Sequence, residues 1–236
     1  MKLEGKVAVL TGGEGPLGRA VTKKFLAEGA KVVVAWYAPD EWKEAKRSLG
    51  DYKGQFVDMQ IDATKEGQVE QLMTKAKESF GSLDILLHMV GMFQSGGMLW
   101  ETDTAILERL LEVNLKSAFL CSKYAIRFML EKGWGRIVVF PAKLAIEPRP
   151  SVGAYSISKS GLITLMLALR EELKDTNITV NAVMPTAIDT WRTRKMPDAE
   201  PDKWVKPSDL AELLCRLCSN ECDALSGSIL KVPGKL

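Results

Sequence analysis

A tyrosine and a lysine stand four residues apart at Tyr155 and Lys159. In a helix, side chains with this spacing lie on one face, about 5–6 Å apart. A free tyrosine titrates at about pH 10, and a neighbouring ammonium group favours its phenolate form. We therefore expect Lys159 to lower the pKa of Tyr155 toward neutral pH, so that the pair can pass a proton to a substrate. The alternative is an ordinary exposed pair on a helix.

The elements that would position this pair alternate between apolar, β-branched runs and longer amphipathic ones. Most apolar runs are continuous, which is typical of strands buried on both faces of a parallel sheet. Strands are predicted at 6–10, 31–35, 56–61, 84–88, 136–140, 178–183 and 227–232. Helices are predicted at 17–28, 68–80, 103–132, 151–174 and 208–218. This alternation predicts one α/β domain over residues 1–236, a Rossmann-type doubly wound parallel sheet of about seven strands with helices on both faces.

A glycine-rich turn follows the first predicted strand and opens the first predicted helix. Gly13, Gly15 and Gly18 fit the pattern G-x-G-x-x-G. In that pattern the missing side chains let the backbone approach a pyrophosphate at a helix N-terminus. The position of the turn between a strand and a helix favours a dinucleotide site over an ordinary turn. No Gly-Lys-Ser/Thr closes the run, which excludes a Walker-type phosphate loop.

The end of the second predicted strand leaves both NAD and NADP possible as the cofactor. A chain that binds NAD usually carries an acid there for the ribose hydroxyls. This strand ends in Ala35, Trp36 and Tyr37 instead. A 2′-phosphate is then not repelled, but no arginine stands directly there to attract one. Asp62, after the third strand, could accept a hydrogen bond from the adenine amino group or cap the next helix.

The composition argues against several classes of protein. Among the 236 residues, 46% are hydrophobic and the net charge is +2, which is too balanced to predict binding to nucleic acid or to a membrane surface. No apolar run approaches the roughly 18 residues of a spanning helix, and the charged start argues against a secretory signal. We therefore expect a cytoplasmic protein. Cys121, Cys215, Cys218 and Cys222 are expected to be mostly buried free thiols, with no metal site, because no fourth ligand is apparent.

Taken together, the motifs resemble the short-chain dehydrogenase/reductase family over nearly the whole chain. They are the glycine turn, Asp62, Leu83-Asp84, Asn114 in Val-Asn-Leu, Gly135-Arg-Ile-Val138, Tyr155-x-x-x-Lys159, Val180-Asn-Ala-Val183 with Pro185, and Ser226-Gly227. The resemblance implies an oxidoreductase that uses NAD or NADP and acts on a small molecule.

The resemblance also implies roles for individual residues. Tyr155, Lys159 and Asn114 would be catalytic, Lys159 would also bind the nicotinamide ribose, and Asn114 would support a water relay to Lys159. The implied cofactor-binding residues are Gly12, Gly15, Leu17, Gly18, Trp36, Asp62, Ala63, Gly91, Tyr155, Lys159, Pro185, Ile188 and Thr190.

Two long predicted helices, 103–132 and 151–174, carry apolar residues on several faces. One face of a sheet cannot cover them all, so a second chain is expected to do so. The resemblance implies pairing through these helices into a homodimer or homotetramer.

Three positions depart from the family pattern. His88-Met-Val-Gly91 stands where the family has Asn-Asn-Ala-Gly, and Thr186 replaces a glycine. Most important, Ala142 replaces the serine that stands thirteen residues before the tyrosine. Loss of one hydrogen-bond donor to a developing oxyanion costs about 10²–10³ in rate. Without that donor, an enzyme should reduce ketones much more slowly. Reduction of a conjugated imine forms no localised alkoxide and should therefore be affected less.

One branch of the family, the quinonoid dihydropteridine reductases, has an Ala-Lys pair like Ala142-Lys143, and the stretch 189–198 is also similar to that branch. The first hypothesis is therefore a reductase of a conjugated imine or pterin-like substrate, with a lid around 186–206. Its expected substrate-binding residues are Phe93, Ala142, Lys143, Trp191 and Met196.

Two other hypotheses stay open. The enzyme could reduce a small carbonyl compound, with Lys143 or Ser151 in place of the serine. Alternatively, the three departures could mark a nucleotide-binding sensor or scaffold without turnover.

Overall fold

The computed structural model describes residues 1–50, 52, 55–196 and 199–234. Its strands are β1 (Val7–Thr11), β2 (Lys31–Trp36), β3 (Phe56–Gln60), β4 (Ile85–His88), β5 (Gly135–Val139), β6 (Ile178–Pro185) and β7 (Ile229–Val232). Its α-helices are α1 (Pro16–Ala27), α2 (Pro39–Leu49), α3 (Glu66–Phe80), α4 (Thr104–Leu110), α5 (Ser117–Lys132), α6 (Gly153–Glu172) and α7 (Pro207–Leu217).

The strands form one sheet in the order β3-β2-β1-β4-β5-β6-β7, and every neighbouring pair is parallel. Alternate residues of a strand point to opposite faces of the sheet. Val7 and Val9 therefore join the core beneath α3, α5 and α6, while Ala8 and Leu10 join the core beneath α1, α2 and α7. All residues of β1 are buried, as the continuous apolar run predicts. The predicted fold class is confirmed.

The helices differ from the prediction in two places. Helix α2 was not predicted, although the sequence contains two signals for it. Pro39 stands at its start, and the buried residues Trp42, Ala45 and Leu49 have helical spacing. The long helix predicted over 103–132 contains a π-helical turn at Leu111–Lys116.

A side chain bonds back to the backbone of the π-helical turn. The hydroxyl of Ser117 donates a hydrogen bond of 2.5 Å to the carbonyl oxygen of Val113, one turn back. Such bonds compete with the helix ladder and bend helices. Single π turns are often found at functional sites, and this one carries Asn114.

The helices in the described ranges are too short or too polar for any of them to span a membrane. These ranges contain no group of three or more His, Cys, Asp or Glu side chains that could hold a metal ion, and Cys121, Cys215 and Cys218 are buried free thiols.

Candidate active site

The candidate site lies where the winding of the sheet changes direction, between the neighbouring strands β1 and β4. In open α/β sheets, ligands bind at the carboxyl ends of the strands at such a point. A groove of about 240 Å³ opens there. Six residues predicted to bind the cofactor line it: Gly12, Gly15, Trp36, Asp62, Ala63 and Gly91.

The glycine turn forms one wall of this groove. Gly12 has a φ of +71°, and a Cβ there would lie 3.2 Å from the carbonyl carbon of Met89. A Cβ at Gly18 would come within 2.3 Å of the carbonyl oxygen of Gly12, so Gly18 brings α1 close to the turn. Gly15 immediately precedes α1, whose free N–H groups favour an anion. A backbone cradle without side chains at a helix N-terminus fits the pyrophosphate of a dinucleotide.

Four further predicted cofactor residues follow β1 or lie at or beyond the end of β6 in the sequence, and three of them have contacts within the protein. Leu17 and Ile188 pack against the apolar core beneath α1, α2 and α7. Pro185 is the last residue of β6. The hydroxyl of Thr190 lies 2.9 Å from that of Thr193. Their contact with a cofactor stays a prediction.

The prediction that Asp62 caps the next helix is wrong, because the N-cap residue of α3 is Lys65 and no side chain caps that helix. The contact of Asp62 with the adenine amino group stays a prediction. Asp62 instead holds the turn before α3. Its Oδ1 accepts hydrogen bonds from the backbone N–H and the hydroxyl of Thr64, at 2.9 and 2.7 Å, which closes the turn before α3. Burial raises the pKa of Asp62, but these hydrogen bonds outweigh burial and hold the pKa below its ordinary value. Asp62 is therefore an anion at neutral pH, and it also lines the groove.

Tyr155 lies on the first turn of α6 and is 9% exposed. The ring of Phe93 packs against its ring edge-on, with centroids 5.0 Å apart. Burial raises the pKa of Tyr155 to about 12. The prediction that Lys159 lowers this pKa is wrong for the chain by itself, because burial alone accounts for the shift. The phenol is consequently protonated at neutral pH, the form in which it can act as an acid.

Lys159 lies one turn further along α6 and is 7% exposed. Its Nζ donates a hydrogen bond of 3.0 Å to the carbonyl oxygen of Phe140, at the end of β5. Burial lowers the pKa of Lys159 to about 8. A Cβ at Gly91 would come within 2.9 Å of Nζ, so the ammonium group lies directly behind the groove wall.

Asn114 links the loop after β4 to α6. Its Oδ1 accepts a hydrogen bond of 2.8 Å from the backbone N–H of Met92. Its Nδ2 donates to the carbonyl oxygen of Met92 at 3.0 Å and to the hydroxyl of Ser158 at 2.9 Å. Because Ser158 precedes Lys159 directly, Asn114 fixes the part of α6 that carries the tyrosine and lysine. The water relay predicted for Asn114 stays a prediction.

Two of the predicted substrate residues, Phe93 and Ala142, pack with Tyr155, whereas the other three are exposed side chains. Ala142 packs with Tyr155 in a small apolar cluster. Lys143 is 45% exposed, and its Nζ lies 2.9 Å from the carboxylate of Glu147, so its charge is already paired. Trp191 and Met196 are 48% and 53% exposed in the segment that follows β6.

The predicted lid, residues 186–206, contains two short 3₁₀ turns, Thr193–Lys195 and Pro201–Lys203. A bridge between Ile188 and Val205 joins its two ends. Pro197 and Asp198, which end the stretch similar to the dihydropteridine reductases, lie outside the described residues. Closure of this segment over a substrate stays a prediction.

His88 occupies the place of the family's first asparagine and is fully hydrogen-bonded. Its Nδ1 lies 3.1 Å from the hydroxyl of Thr11, which accepts from the backbone N–H of Met89. Its Nε2 lies 2.9 Å from the hydroxyl of Ser117, which donates its own proton to Val113. This network assigns the ring proton to Nε2. Burial lowers the pKa of His88 to about 3, so the ring is neutral and joins β1, β4 and the π turn.

Comparison with known proteins decides the family. The family model described as short chain dehydrogenase matches residues 6–201. The chain belongs to the short-chain dehydrogenase/reductase family. It is an oxidoreductase.

Several members of the short-chain dehydrogenase/reductase family are similar to this one over their full length. A 3-oxoacyl-(acyl-carrier-protein) reductase of Thermotoga maritima is 26% identical, covering 100% of this chain and 99% of the relative. A cis-4-hydroxycyclohexanecarboxylate dehydrogenase of Sinomonas cyclohexanicum is 31% identical, covering 97% and 95%. A solved short-chain dehydrogenase/reductase structure from Serratia marcescens has a TM-score of 0.89 at 29% identity, covering 99% of this chain and 98% of that one.

The groove of this short-chain dehydrogenase/reductase also contains charged residues that the sequence interpretation missed, namely Glu14, Arg109 and Arg192. Glu14 was detectable as an acid inside the glycine turn, but the motif directs attention to the glycines alone. Arg192 belongs to the segment after β6, and its guanidinium pairs with Glu41 of α2. No local pattern in the sequence indicates that approach.

Proposed function

We propose that the enzyme is an NAD(P)H-dependent reductase of a conjugated imine, with pterin-like compounds as the substrate class to examine first. The supporting observation is the apolar surroundings of its acid. Tyr155 packs in a cluster with Leu110, Ala142 and Leu144, and no hydroxyl replaces the family's serine at Ala142. A substrate that needs one proton and no second donor suits such a site.

Three polar side chains of α6 and the segment before it are engaged elsewhere, whereas the buried hydroxyl of Ser156 has no hydrogen-bond partner. Ser158 donates to the carbonyl oxygen of Tyr155 at 2.8 Å, and Ser160 donates to that of Ala145 at 2.6 Å. The Lys143 ammonium group is paired with Glu147. These contacts support the phenol as the acid of the reaction.

The residues divide the chemistry between them. Gly12, Gly15 and the N-terminus of α1 would hold the pyrophosphate of a dinucleotide, and Lys159 would hold the nicotinamide ribose. A reduced nicotinamide supplies the hydride when bound. Tyr155 gives its proton to the substrate nitrogen, so that a C=N bond becomes CH–NH. The ammonium group of Lys159 stabilises the phenolate that remains.

A small-carbonyl reductase is the second candidate, favoured by relatives whose names denote 3-oxoacyl and hydroxycyclohexane substrates. Substrate assays of the wild type and the Ala142→Ser variant separate the two. We expect the wild type to oxidise NADH or NADPH above background with a quinonoid dihydropterin. We expect Ala142→Ser to leave that rate within about threefold, because the imine needs no second donor.

The contrary outcome is equally specific. If the wild type oxidises neither cofactor with the dihydropterin, and Ala142→Ser raises reduction of a small ketone by about tenfold or more, the carbonyl candidate is correct. Turnover with neither substrate class, in a protein that binds the cofactor, would favour a sensor or scaffold.

The apolar surface of α5 and α6 supports the predicted oligomer. Phe119, Ile157 and Leu167 are 51%, 46% and 46% exposed, and Phe119 borders a hollow lined also by Leu115 and Leu165. We propose that a second copy covers this surface.

We expect light scattering at micromolar concentration to give a dimer or tetramer. Combining Phe119→Glu with Leu167→Glu should shift the mass to that of a monomer, because two charges would be buried without partners. The control variant, Trp100→Glu, changes a side chain that is 79% exposed on another segment and should leave the mass unchanged. A monomeric wild type would refute the proposal.

A further inference from the structure

The missing acid at the end of β2 raises the question of what faces the adenosine ribose. The indole of Trp36 does not replace it, because its Nε1 donates to Asp58 Oδ1 at 3.0 Å. The carboxylate of Asp58 is already engaged, since it also accepts hydrogen bonds from Trp42 Nε1 at 2.9 Å and from Lys46 Nζ at 2.6 Å. Neither Trp36 of β2 nor Asp58 of β3 is therefore free to bind a sugar hydroxyl.

A carboxylate reaches the same place from the glycine turn. Glu14 Oε1 accepts a hydrogen bond of 3.0 Å from the backbone N–H of Tyr37 and one of 3.4 Å from that of Ala38, the two residues directly after β2. The side chain lines the groove together with Trp36 and Tyr37. Its second oxygen, Oε2, is buried and has no hydrogen-bond partner.

A buried carboxylate oxygen without a donor is costly, so a donor supplied by a ligand would stabilise it. The 2′- and 3′-hydroxyls of an adenosine ribose are such donors. A 2′-phosphate carries about −1.5 to −2 charges near neutral pH and would face the same carboxylate unfavourably. Two cations of the same groove, Arg109 and Arg192, do not reverse this balance, because their guanidinium groups already pair with Glu112 and Glu41.

We infer that Glu14 takes the place of the absent β2 acid, binds the adenosine ribose hydroxyls with its carboxylate, and makes the enzyme selective for NAD(H) over NADP(H). Glu14 has this role only if the groove takes a nicotinamide dinucleotide, as proposed above. It is a specificity-determining residue at the opposite end of the cofactor from Tyr155.

Dissociation constants for NADH and NADPH, measured by titration calorimetry, test the inference without any need for turnover. We expect the wild type to bind NADH at least about tenfold more tightly than NADPH. Glu14→Gln should reduce this ratio by about tenfold or more, because the amide keeps an oxygen for the Tyr37 N–H but loses the charge. The control variant Glu44→Gln removes a carboxylate that is 76% exposed and pairs with Arg19, and the ratio should not change.

Circular dichroism shows whether each variant is folded, and Glu14→Ser, with a shorter neutral side chain, repeats the test if Glu14→Gln is not. A wild type that binds both dinucleotides equally or prefers NADPH would overturn the inference. So would a ratio that neither folded variant at position 14 alters. Either result leaves the proposed reductase standing, whereas failure to bind both dinucleotides would overturn the inference and the proposed function together.

Discussion

Replacing Tyr155 by phenylalanine is expected to lower kcat for reduction by about 10²–10⁴, the usual contribution of general acid catalysis. The phenol is protonated at neutral pH because burial raises its pKa to about 12. Loss of its hydroxyl therefore removes the proton that the reduced substrate must receive. Stopped-flow or steady-state assays with the preferred cofactor measure the effect. The dissociation constant of the cofactor should change little, which separates a chemical role from a binding role.

Tyr124→Phe is the matched control for this experiment. Tyr124 is 8% exposed, at least as buried as Tyr155, and its hydroxyl donates a hydrogen bond of 3.0 Å to Glu66 of α3. That hydroxyl lies outside the groove, so kcat should stay within about threefold of the wild type. If Tyr155→Phe keeps more than a tenth of the wild-type rate, the hydroxyl of Tyr155 is not the general acid of the reaction.

Replacing Lys159 by methionine is expected to reduce kcat/KM by about 10²–10³ and, at the same time, to stabilise the cofactor-free protein. Burial that lowers the pKa of Lys159 from 10.5 to about 8 costs its charged form about 3 kcal/mol. The variant also leaves the Phe140 carbonyl without its hydrogen-bond donor, which lowers the expected stabilisation by about 1 kcal/mol. The remaining ~2 kcal/mol corresponds to a rise in Tm of about 4–8 °C for a chain of this size.

The stabilisation by Lys159→Met should depend on pH in a defined direction. Between pH 8 and 10.5 the unfolded wild type holds a proton on Lys159 that the folded wild type has lost, so wild-type stability rises with pH in this window. The Tm difference between variant and wild type should accordingly be largest below pH 8 and shrink above it. Calorimetric scans at pH 7 and pH 9.5 measure this.

Lys77→Met serves as the control for both readouts. Lys77 lies on α3 and is paired with Glu131 at the surface, so its removal should change neither Tm nor kcat/KM substantially. If Lys159→Met lowers Tm at pH 7, the buried ammonium group stabilises the fold, contrary to the expectation.

The comparison between sequence and structure shows which features are encoded locally. The strands were predictable because most are continuous apolar runs, and their ends differ from the prediction by no more than two residues. The glycine turn and the spacing of Tyr155 and Lys159 are likewise local patterns. Both lie at the carboxyl ends of the strands, where the fold class places a ligand.

Other features depend on contacts between distant parts of the chain. The pKa of Tyr155 is set by packing around α6, which no spacing reveals. The π turn was not predictable, because helical periodicity continues through it. Glu14 reaches the end of β2 only because β1 and β2 are neighbours, so its position is a property of the sheet order.

His88 has a consequence for how the enzyme responds to acidity. The chain has one histidine, and burial keeps it uncharged down to a pKa of about 3. Imidazole is the side chain that ordinarily changes charge between pH 5 and 8. This protein thus has no imidazole sensor for mild acidification, and a rate that varies steeply across that interval would report titration of a group other than histidine.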